Sequence, residues 1–342
     1  MLYPGGNPAP FFNIKPPELA MVPDILLLLK SPFEAGMRSV SASGRGTVRR
    51  RTRRSDISSK RCQARKRTHA ELDLRNQQAV KAFFDAERPD YVILAGAKVG
   101  GIMANKTHCA EFLLENLEIQ NNVIMQSFLH DVKKFCFLGS SCIYPCRAPQ
   151  PIKEEYLLTG PLEPTNEGYA LAKISGYKLC LYLSRQYGWN TISLMPCNLY
   201  GTNDNYDLVN GHVFPTLVRR FVEAAKDNRP EEVLWGTGKP LREFLHVDDV
   251  ANAVYFFMQN RNEPEVVNIG YGSDITIKDL AEKIAAAAGF KGKISWDASK
   301  PDGMYRKLMD SSRARALGWA PKITLEEGIR RTVREYLGGN TR

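Results

Sequence analysis

Three polar side chains, Ser140, Tyr169 and Lys173, have the types and spacing needed to protonate a carbonyl oxygen during hydride transfer. Tyr169 and Lys173 stand four residues apart in a helical pattern, so they share one helix face. A free tyrosine has a pKa of about 10 and rarely gives up its proton at neutral pH. A nearby lysine cation lowers that pKa, and a serine hydroxyl can hold the carbonyl oxygen in place. The trio therefore predicts the general-acid apparatus of a reductase.

Ser140 follows the apolar run 135–138, which is typical of a buried strand in a parallel sheet. Polar groups at the end of such a strand lie at the edge where open α/β sheets bind ligands. The surrounding alternation of strands and helices predicts an α/β fold with a Rossmann-type doubly wound parallel sheet. The predicted strands cover 90–95, 135–138 and 191–195, with a further pairing segment at 25–29, and the predicted helices cover 77–87, 111–129 and 166–187.

The last third of the chain is less regular and predicts a smaller C-terminal α/β lobe that binds substrate. Residues 276–279 and 324–327 both have a capping side chain followed three residues later by an acid, which is typical of a helix start. We therefore expect three segments: an atypical stretch at 1–66, a core at 67–200 and a lobe at 201–342. Further helices are predicted at 213–225, 247–259 and 311–317, and strands at 266–269 and 294–296.

The formal net charge of +10 comes from one segment. Residues 38–69 contain twelve Lys or Arg and one Asp, and no Phe, Tyr or Trp occurs between Phe33 and Phe83. Such a segment cannot bury enough apolar surface to offset its ordering entropy, which favours disorder. An alternative function follows from it, in which a basic arm on an inactive reductase-like scaffold binds nucleic acid or an acidic partner. The lack of aromatic residues for base stacking makes nucleic acid the less favoured partner.

Seven cysteines are scattered without C-x-x-C spacing, which argues against a zinc site or a disulfide scaffold. No metal is predicted, and reduced thiols favour a cytoplasmic location. No apolar run reaches the roughly 18–20 residues that a membrane span requires.

Cys142 is ordinarily the kind of thiol that is packed and inert, but it stands two residues after Ser140 and can face a substrate. His212 fits a surface or helix-start histidine, and His246 fits a structural one. The glycines at 96, 100 and 101 do not form the G-x-x-G-x-x-G turn of a dinucleotide site.

Seven stretches downstream of residue 66 carry a family resemblance, among them Ser-Cys-Ile-Tyr-Pro at 141–145 and Lys-Pro-Asp-Gly at 300–303. Over roughly four-fifths of its length, this chain resembles the GDP-L-fucose synthases, which are extended short-chain dehydrogenases/reductases. Members of that family convert GDP-4-keto-6-deoxy-D-mannose to GDP-L-fucose with NADP(H) and form homodimers. The matching stretches are 67–74, 97–102, 138–145, 162–167, 196–201, 242–249 and 297–303.

The resemblance implies a role for each matching residue. Cys142 and His212 match the groups that epimerise C3 and C5, and Tyr169, Ser140 and Lys173 match those that reduce C4. Arg220, Trp235, Arg242 and Asp302 match contacts to the GDP-sugar. The implied cofactor contacts are Ser140, Ser141, Lys173, Pro196, Asn198, Leu199 and His212.

The chain departs from the family upstream of residue 67. The family's G-H-R-G-x-V-G loop falls on 43–49 here, where Ser43 and Arg49 replace both outer glycines. His69 also stands where the family often has an arginine suited to the NADP 2′-phosphate. We therefore predict a malformed first strand and helix, with weak or absent NADPH binding and a surviving GDP-sugar pocket. A local reading-frame error is one hypothesis for the preserved spacing, and an error-free transcript would exclude it.

Overall fold

The computed structural model describes residues 26–30, 63–67, 69–208, 211–260, 262, 264–300 and 302–339. The predictions for residues 31–62, including the glycine positions and the basic segment, lie outside this range. The first half of the chain contains β1 (Leu26–Lys30), β2 (Gln63–Arg67), α1 (Gln77–Glu87), β3 (Tyr91–Leu94), α2 (Ile102–Thr107), α3 (Cys109–Leu129), β4 (Lys134–Leu138), α4 (Glu167–Tyr187), β5 (Thr191–Pro196) and β6 (Asn198–Tyr200).

The second half of the chain contains shorter strands between five helices. Its elements are α5 (Val213–Lys226), β7 (Glu231–Trp235), β8 (Leu241–Arg242), β9 (Phe244–His246), α6 (Val247–Asn260), β10 (Val266–Ile269), β11 (Ile275–Thr276), α7 (Ile277–Ala288), β12 (Lys293–Asp297), β13 (Arg306–Lys307), α8 (Ser312–Ala316) and α9 (Leu325–Leu337).

A six-stranded sheet in the order β10-β5-β4-β3-β1-β2 forms the centre of the fold. Neighbours from β3 through β4 and β5 to β10 pair in parallel, and β4 and β5 are buried along their whole length. Such continuously apolar strands are typical of parallel sheets covered by helices. The predicted Rossmann-type α/β fold is therefore confirmed, and β3, β4 and β5 end at the same edge, called the carboxyl edge below.

One strand of this sheet runs against expectation. β1 pairs antiparallel with both β2 and β3, so Lys30 and Gln63 lie together at the edge opposite the carboxyl edge. The leucine run at 26–29 satisfies the backbone groups of β3 in either direction, because antiparallel pairing is at least as stable as parallel pairing. The pairing predicted for 25–29 is confirmed, but the strand points the wrong way for a dinucleotide-binding unit.

Two hydrophobic cores accompany the sheets. The larger lies around β3–β5 and β10 and also takes in α6 and Trp319. The smaller lies among α5, α7 and α9 and includes Tyr200, Phe214 and Phe221. The boundaries expected at 66 and 200 stay a prediction. No helix in the described ranges is both long and apolar enough to cross a bilayer.

Glu243 joins these parts through a fully buried carboxylate between β8 and β9. Its Oε1 accepts the N–H of Gly272 at 2.6 Å and its Oε2 accepts the N–H of Met309 at 3.0 Å. Burial is the main cause that raises the pKa of Glu243 from 4.5 to about 7, against the lowering effect of the two backbone bonds.

This raised pKa predicts a pH-dependent stability. The unfolded carboxyl ionises near pH 4.5, whereas the folded one binds its proton up to about pH 7. The free energy of unfolding should therefore fall between pH 5 and pH 8, by up to about 3 kcal/mol at 1.36 kcal/mol per pKa unit. Urea unfolding at the two pH values should show a smaller difference in Glu243→Gln, whose side chain does not titrate. An equal pH difference in both proteins would contradict this assignment.

Candidate functional site

The loop after β4 places Ser140 at the carboxyl edge. Gly139 leaves space for the Met195 thioether of β5, which a Cβ at this position would displace. Ser140 then caps a single 3₁₀ turn, Ser141–Ile143, and its Oγ accepts the N–H of Cys142 at 3.3 Å. Buried strand, tight exit and capped turn together fix the Ser140 hydroxyl and the Cys142 thiol side by side.

Helix α4 brings Tyr169 and Lys173 to the same place. Lys173 is buried, and its Nζ donates to the carbonyl of Leu138, the last residue of β4, at 2.9 Å. Its ammonium lies 5.8 Å from the centre of the Tyr169 ring and 5.0 Å from that of Phe137. The three residues predicted as a reductase trio therefore converge, and the Leu138 carbonyl is the anchor that sequence reasoning did not identify.

Burial sets the protonation of the trio. It raises the pKa of Tyr169, and the nearby Cys142 raises it further, while a hydrogen bond with Ser140 lowers it. Burial also lowers the pKa of Lys173 to about 8, so its ammonium is still mostly protonated at neutral pH. A protonated phenol beside a cation and a hydroxyl is able to donate a proton to a carbonyl oxygen.

Cys142 lies at the wall of a cavity beside the trio. The thiol is 6% exposed, and burial raises its pKa. Asn166, at the start of α4, also lines the cavity, and its Oδ1 has no hydrogen-bond partner among the described atoms. A buried polar atom without a partner favours a polar ligand. The remaining lining residues are Ser141, Tyr144, Pro145, Ile152, Glu163, Met304 and Lys307.

A buried network fixes this loop from behind. Tyr144 donates its hydroxyl proton to Asn268 Oδ1 at 2.6 Å. Asn268 in turn donates from Nδ2 to Ile152 and from its backbone N–H to Glu154 Oε1, both at 3.0 Å. No motif in the sequence pointed to Asn268 or Glu154, because their role depends on contacts more than 100 positions away.

His212 lies at the N-terminus of α5 and is exposed, with protein around it that lowers its pKa by desolvation. Within the described residues, no hydrogen bond joins it to Cys142. His246, by contrast, is 1% exposed and packs edge-on against Tyr200 with 5.3 Å between ring centres. The structural reading of His246 fits this packing.

The end of β5 supplies further predicted cofactor positions. Pro196 is the last residue of β5, and Asn198 and Leu199 belong to β6, which pairs with β9. The Asn198 amide donates to the carbonyl of Glu243 at 2.8 Å, so β6 is held to the segment that follows β8. These residues lie at the end of β5, which is at the carboxyl edge, and their contact with a cofactor stays a prediction.

The four residues expected to hold a GDP-sugar lie on or beside β7 and β8. Asp302 accepts the N–H and the hydroxyl of Thr237, each at 2.6 Å, and its charge acts on Arg242. Trp235 is 68% exposed with the Lys300 ammonium 5.5 Å from its ring centre. Arg220 forms an ion pair with Glu232 of β7 at 2.5 Å.

This fold and the Ser–Tyr–Lys site define a reductase of the short-chain dehydrogenase/reductase class. The profile of the NAD dependent epimerase/dehydratase family matches residues 37–270. The chain therefore belongs to that family.

GDP-L-fucose synthase 1 of Arabidopsis thaliana is 56% identical over 79% of this chain and 84% of its own length. GDP-L-fucose synthase of Escherichia coli K12 is 50% identical over 81% of this chain and 89% of its own. A solved GDP-mannoheptose C4 reductase from Campylobacter jejuni with NADP bound is 41% identical, with a TM-score of 0.73 over 79% of this chain and 88% of that one.

The described residues fit one half of a dinucleotide cofactor. Tyr169, Lys173 and Ser140 gather where a nicotinamide and its ribose would lie next to a carbonyl substrate. The pyrophosphate half ordinarily lies on backbone N–H groups at a strand-to-helix turn on the carboxyl edge. β1 cannot lead into such a turn, because it ends at the opposite edge.

No group of three His, Cys, Asp or Glu that could hold a metal ion occurs in the part of the chain that the structure describes.

Proposed function

We propose that this chain converts GDP-4-keto-6-deoxy-D-mannose to GDP-L-fucose, by epimerisation at C3 and C5 followed by NADPH-dependent reduction at C4. The observation that carries the proposal is the convergence of Cys142 with Ser140, Tyr169 and Lys173 at the end of β4. The loop after β4 thus presents a thiol for proton removal and one hydroxyl of the trio for carbonyl reduction, and α4 adds the other two members. Relatives named GDP-L-fucose synthase at 50% identity and above support the substrate.

In the reductive stage, bound NADPH supplies the hydride. The Ser140 hydroxyl orients the C4 oxygen, and the Tyr169 phenol delivers a proton to it. Lys173 stays close to Tyr169 because its ammonium is fixed on the Leu138 carbonyl. Its positive charge stabilises the tyrosinate that remains after proton delivery.

In the epimerising stage, the C4 ketone acidifies the protons on C3 and C5. Cys142 is assigned as the base that removes each proton, and His212 as the acid that returns one on the opposite face. Cys142 lines the cavity, and His212 is accessible at the start of α5. No direct contact joins these two side chains among the described residues, so the bound sugar would lie between the base and the acid.

Binding of the GDP portion is assigned to the residues around β7. Arg242 is a desolvated guanidinium suited to a diphosphate, and Trp235 offers an exposed ring face. Asp302 is held by Thr237, and Arg220 is the fourth contact. The cofactor contacts are assigned to Ser140, Ser141, Lys173, Pro196, Asn198, Leu199 and His212.

A homodimer is part of the same proposal. Helices α3 and α4 pack together, and Leu114, Leu171 and Tyr182 remain 57%, 41% and 55% exposed on them. A four-helix contact with a second copy would bury these side chains, and light scattering should give twice the 38.5 kDa chain mass. A monomer at micromolar concentration would contradict it. A cytoplasmic location is also proposed, because all six described cysteines are free.

The deciding experiment separates the two stages. Purified protein is incubated with GDP-4-keto-6-deoxy-D-mannose in D₂O without NADPH, and deuterium at C3 and C5 is measured by NMR. Millimolar NADPH is then added, and the loss of its absorbance is followed. We expect deuterium exchange without NADPH, and then oxidation of NADPH to NADP⁺ as the 4-keto sugar is reduced to GDP-L-fucose.

Cys142→Ala is the matched control for this experiment. It should lower exchange by about 100-fold or more, the scale of a removed general base, and leave the fold unchanged. Reduction without any exchange in the native protein would favour a simple C4 reductase over the proposed function. Failure of both stages would reject it.

A further inference from the structure

Lys307 is a cation in the cavity that the two proposed stages do not use. It lines the cavity together with Cys142, Ser141, Glu163 and Asn166. Its ammonium forms no hydrogen bond or ion pair with any residue in the described ranges. Glu163 acts on this ammonium only through space, across the cavity. A half-buried ammonium without an ion pair is costly, and such groups are typical of sites where a negative charge forms.

The two-residue strand β13 explains why Lys307 points into the cavity. Successive side chains of a strand alternate between its faces. Arg306 lies on one face and forms a two-point ion pair with Asp274. Lys307 therefore faces the other way, in register with Arg242 on β8. Of these two basic residues, Arg306 therefore forms an ion pair, whereas Lys307 forms none with the described residues.

The charges around Cys142 show what Lys307 does there. Burial raises the pKa of Cys142, and the nearby charge that lowers it most is Lys307, ahead of the Ser140 hydrogen bond and Lys173. Glu163 is the acidic group that lines the same cavity. A thiol with a pKa of 9 or above is only about 1% thiolate at pH 7, and only the thiolate acts as a base. Cys142 therefore needs a cation to become a base.

Cys142 also affects the pKa of Lys307. Burial lowers the pKa of Lys307 most, Cys142 is the largest influence that raises it, Arg242 lowers it, and Cys197 and Glu163 raise it by less. Two further titratable groups face Cys142: Tyr169, whose pKa the thiol raises, and Lys173, whose pKa it also raises. A deprotonated Cys142 and a protonated Lys307 therefore stabilise each other in a place where each alone is disfavoured.

We propose that Lys307 is the cationic partner of Cys142, and that its ammonium stabilises the thiolate that removes the sugar protons. In that step the Cys142 Sγ–H bond forms as the sugar C–H bond breaks, and the electron pair moves to the C4 oxygen as an enolate. A proton returned to the carbon from the opposite face restores the ketone, and the thiol then releases its proton to solvent. The sugar chemistry rests on the proposed function, but the pairing of thiolate and ammonium does not.

Thiolate absorbance tests the pairing without any substrate. The absorbance at 240 nm is titrated from pH 6 to about pH 11.5 for each protein and for its Cys142→Ala counterpart, and the difference isolates Cys142 among the seven cysteines. We expect the midpoint in Lys307→Met to lie at least one pH unit above that of the native protein. Lys307→Arg, which keeps the charge, should stay within a few tenths of a unit of the native protein.

Lys293→Met is the matched control, because it removes one positive charge from an exposed position on β12. It should not move the Cys142 midpoint. Equal midpoints in native protein and Lys307→Met, or equal shifts in Lys307→Met and Lys293→Met, would overturn the proposal. Lys307→Gln replaces the Met variant if circular dichroism shows that the latter does not fold.

Deuterium exchange at C3 and C5 then links the pairing to the reaction. Lys307→Met should exchange at least about 10-fold more slowly at pH 7, the change that one pH unit in the thiol midpoint produces. If the Cys142 midpoint shifts in Lys307→Met but the native protein exchanges no deuterium at C3 and C5, the pairing stands and the proposed function is rejected. A native midpoint in Lys307→Met would reject the pairing whatever the exchange rate is.

Discussion

Tyr169→Phe is expected to lower the rate of C4 reduction by about 10³-fold, within the range that a removed general acid costs. Phenylalanine keeps the ring 5.8 Å from the Lys173 ammonium and removes only the hydroxyl that donates the proton. Lys173 keeps its bond to the Leu138 carbonyl, so α4 should retain its position. The loss would therefore fall on the chemical step and not on the fold.

Single-turnover oxidation of NADPH measures the lower rate of C4 reduction. Deuterium exchange at C3 and C5 measures the epimerisation that Tyr169→Phe should retain. Exchange should stay within a few-fold of the native rate, because Cys142 and Lys307 are unchanged. Tyr182→Phe is the matched control, since Tyr182 lies on the same helix and is 55% exposed. A Tyr169→Phe reduction rate within 10-fold of the native one would refute the assigned role.

The same site predicts the direction of a pH effect on reduction. Burial lowers the pKa of Lys173 to about 8, so its ammonium loses its proton as the pH rises through that value. Tyr169 remains protonated there, because burial raises its pKa. The reduction rate of the native protein should thus decline above about pH 8.

NADPH is expected to bind this chain about 100-fold or more weakly than it binds a relative with a parallel first strand and a glycine-rich turn. Each charge-assisted hydrogen bond to a pyrophosphate contributes about 1.5–3 kcal/mol, so the loss of two costs about 3–6 kcal/mol. β1 ends at the edge opposite Ser140, and the described residues provide no such turn after it. GDP binding should be unaffected, because Arg242, Trp235 and Asp302 lie in the second half of the chain.

Titration calorimetry with NADP⁺ and with GDP checks both statements. The matched variant replaces residues 1–66 with the first strand, glycine turn and helix of the Arabidopsis thaliana relative, which is 56% identical to this chain downstream. We expect the variant to gain NADP⁺ affinity by about the same 100-fold and to keep the native affinity for GDP. Equal NADP⁺ affinity in both proteins would show that β1 does not limit cofactor binding.

Local sequence was sufficient for most of the elements. The apolar run at 135–138 and the helical spacing of 166–187 predicted β4 and α4 to within one residue, because burial on both faces and a 3.6-residue period leave clear patterns. The capping threonines 276 and 324 likewise accept N–H groups three residues on, as predicted.

Contacts between distant segments left no such pattern. Lys307 belongs to a two-residue strand whose place depends on β8, and Glu243 depends on the N–H groups of Gly272 and Met309. The direction of β1 was equally unpredictable, because a leucine run satisfies a neighbouring strand in either orientation.

For this protein, the sequence alone determined the α/β fold, the reductase trio and the position of Cys142 beside it. These features depend on the spacing of residues within one strand or one helix, which can be read directly from the local sequence. Only the tertiary structure decided that Lys173 is fixed on Leu138, that Lys307 lines the same cavity as Cys142, and that β1 points away from the carboxyl edge. Each of these depends on the burial of charge or on strand pairing between segments far apart in the chain, which local pattern does not specify.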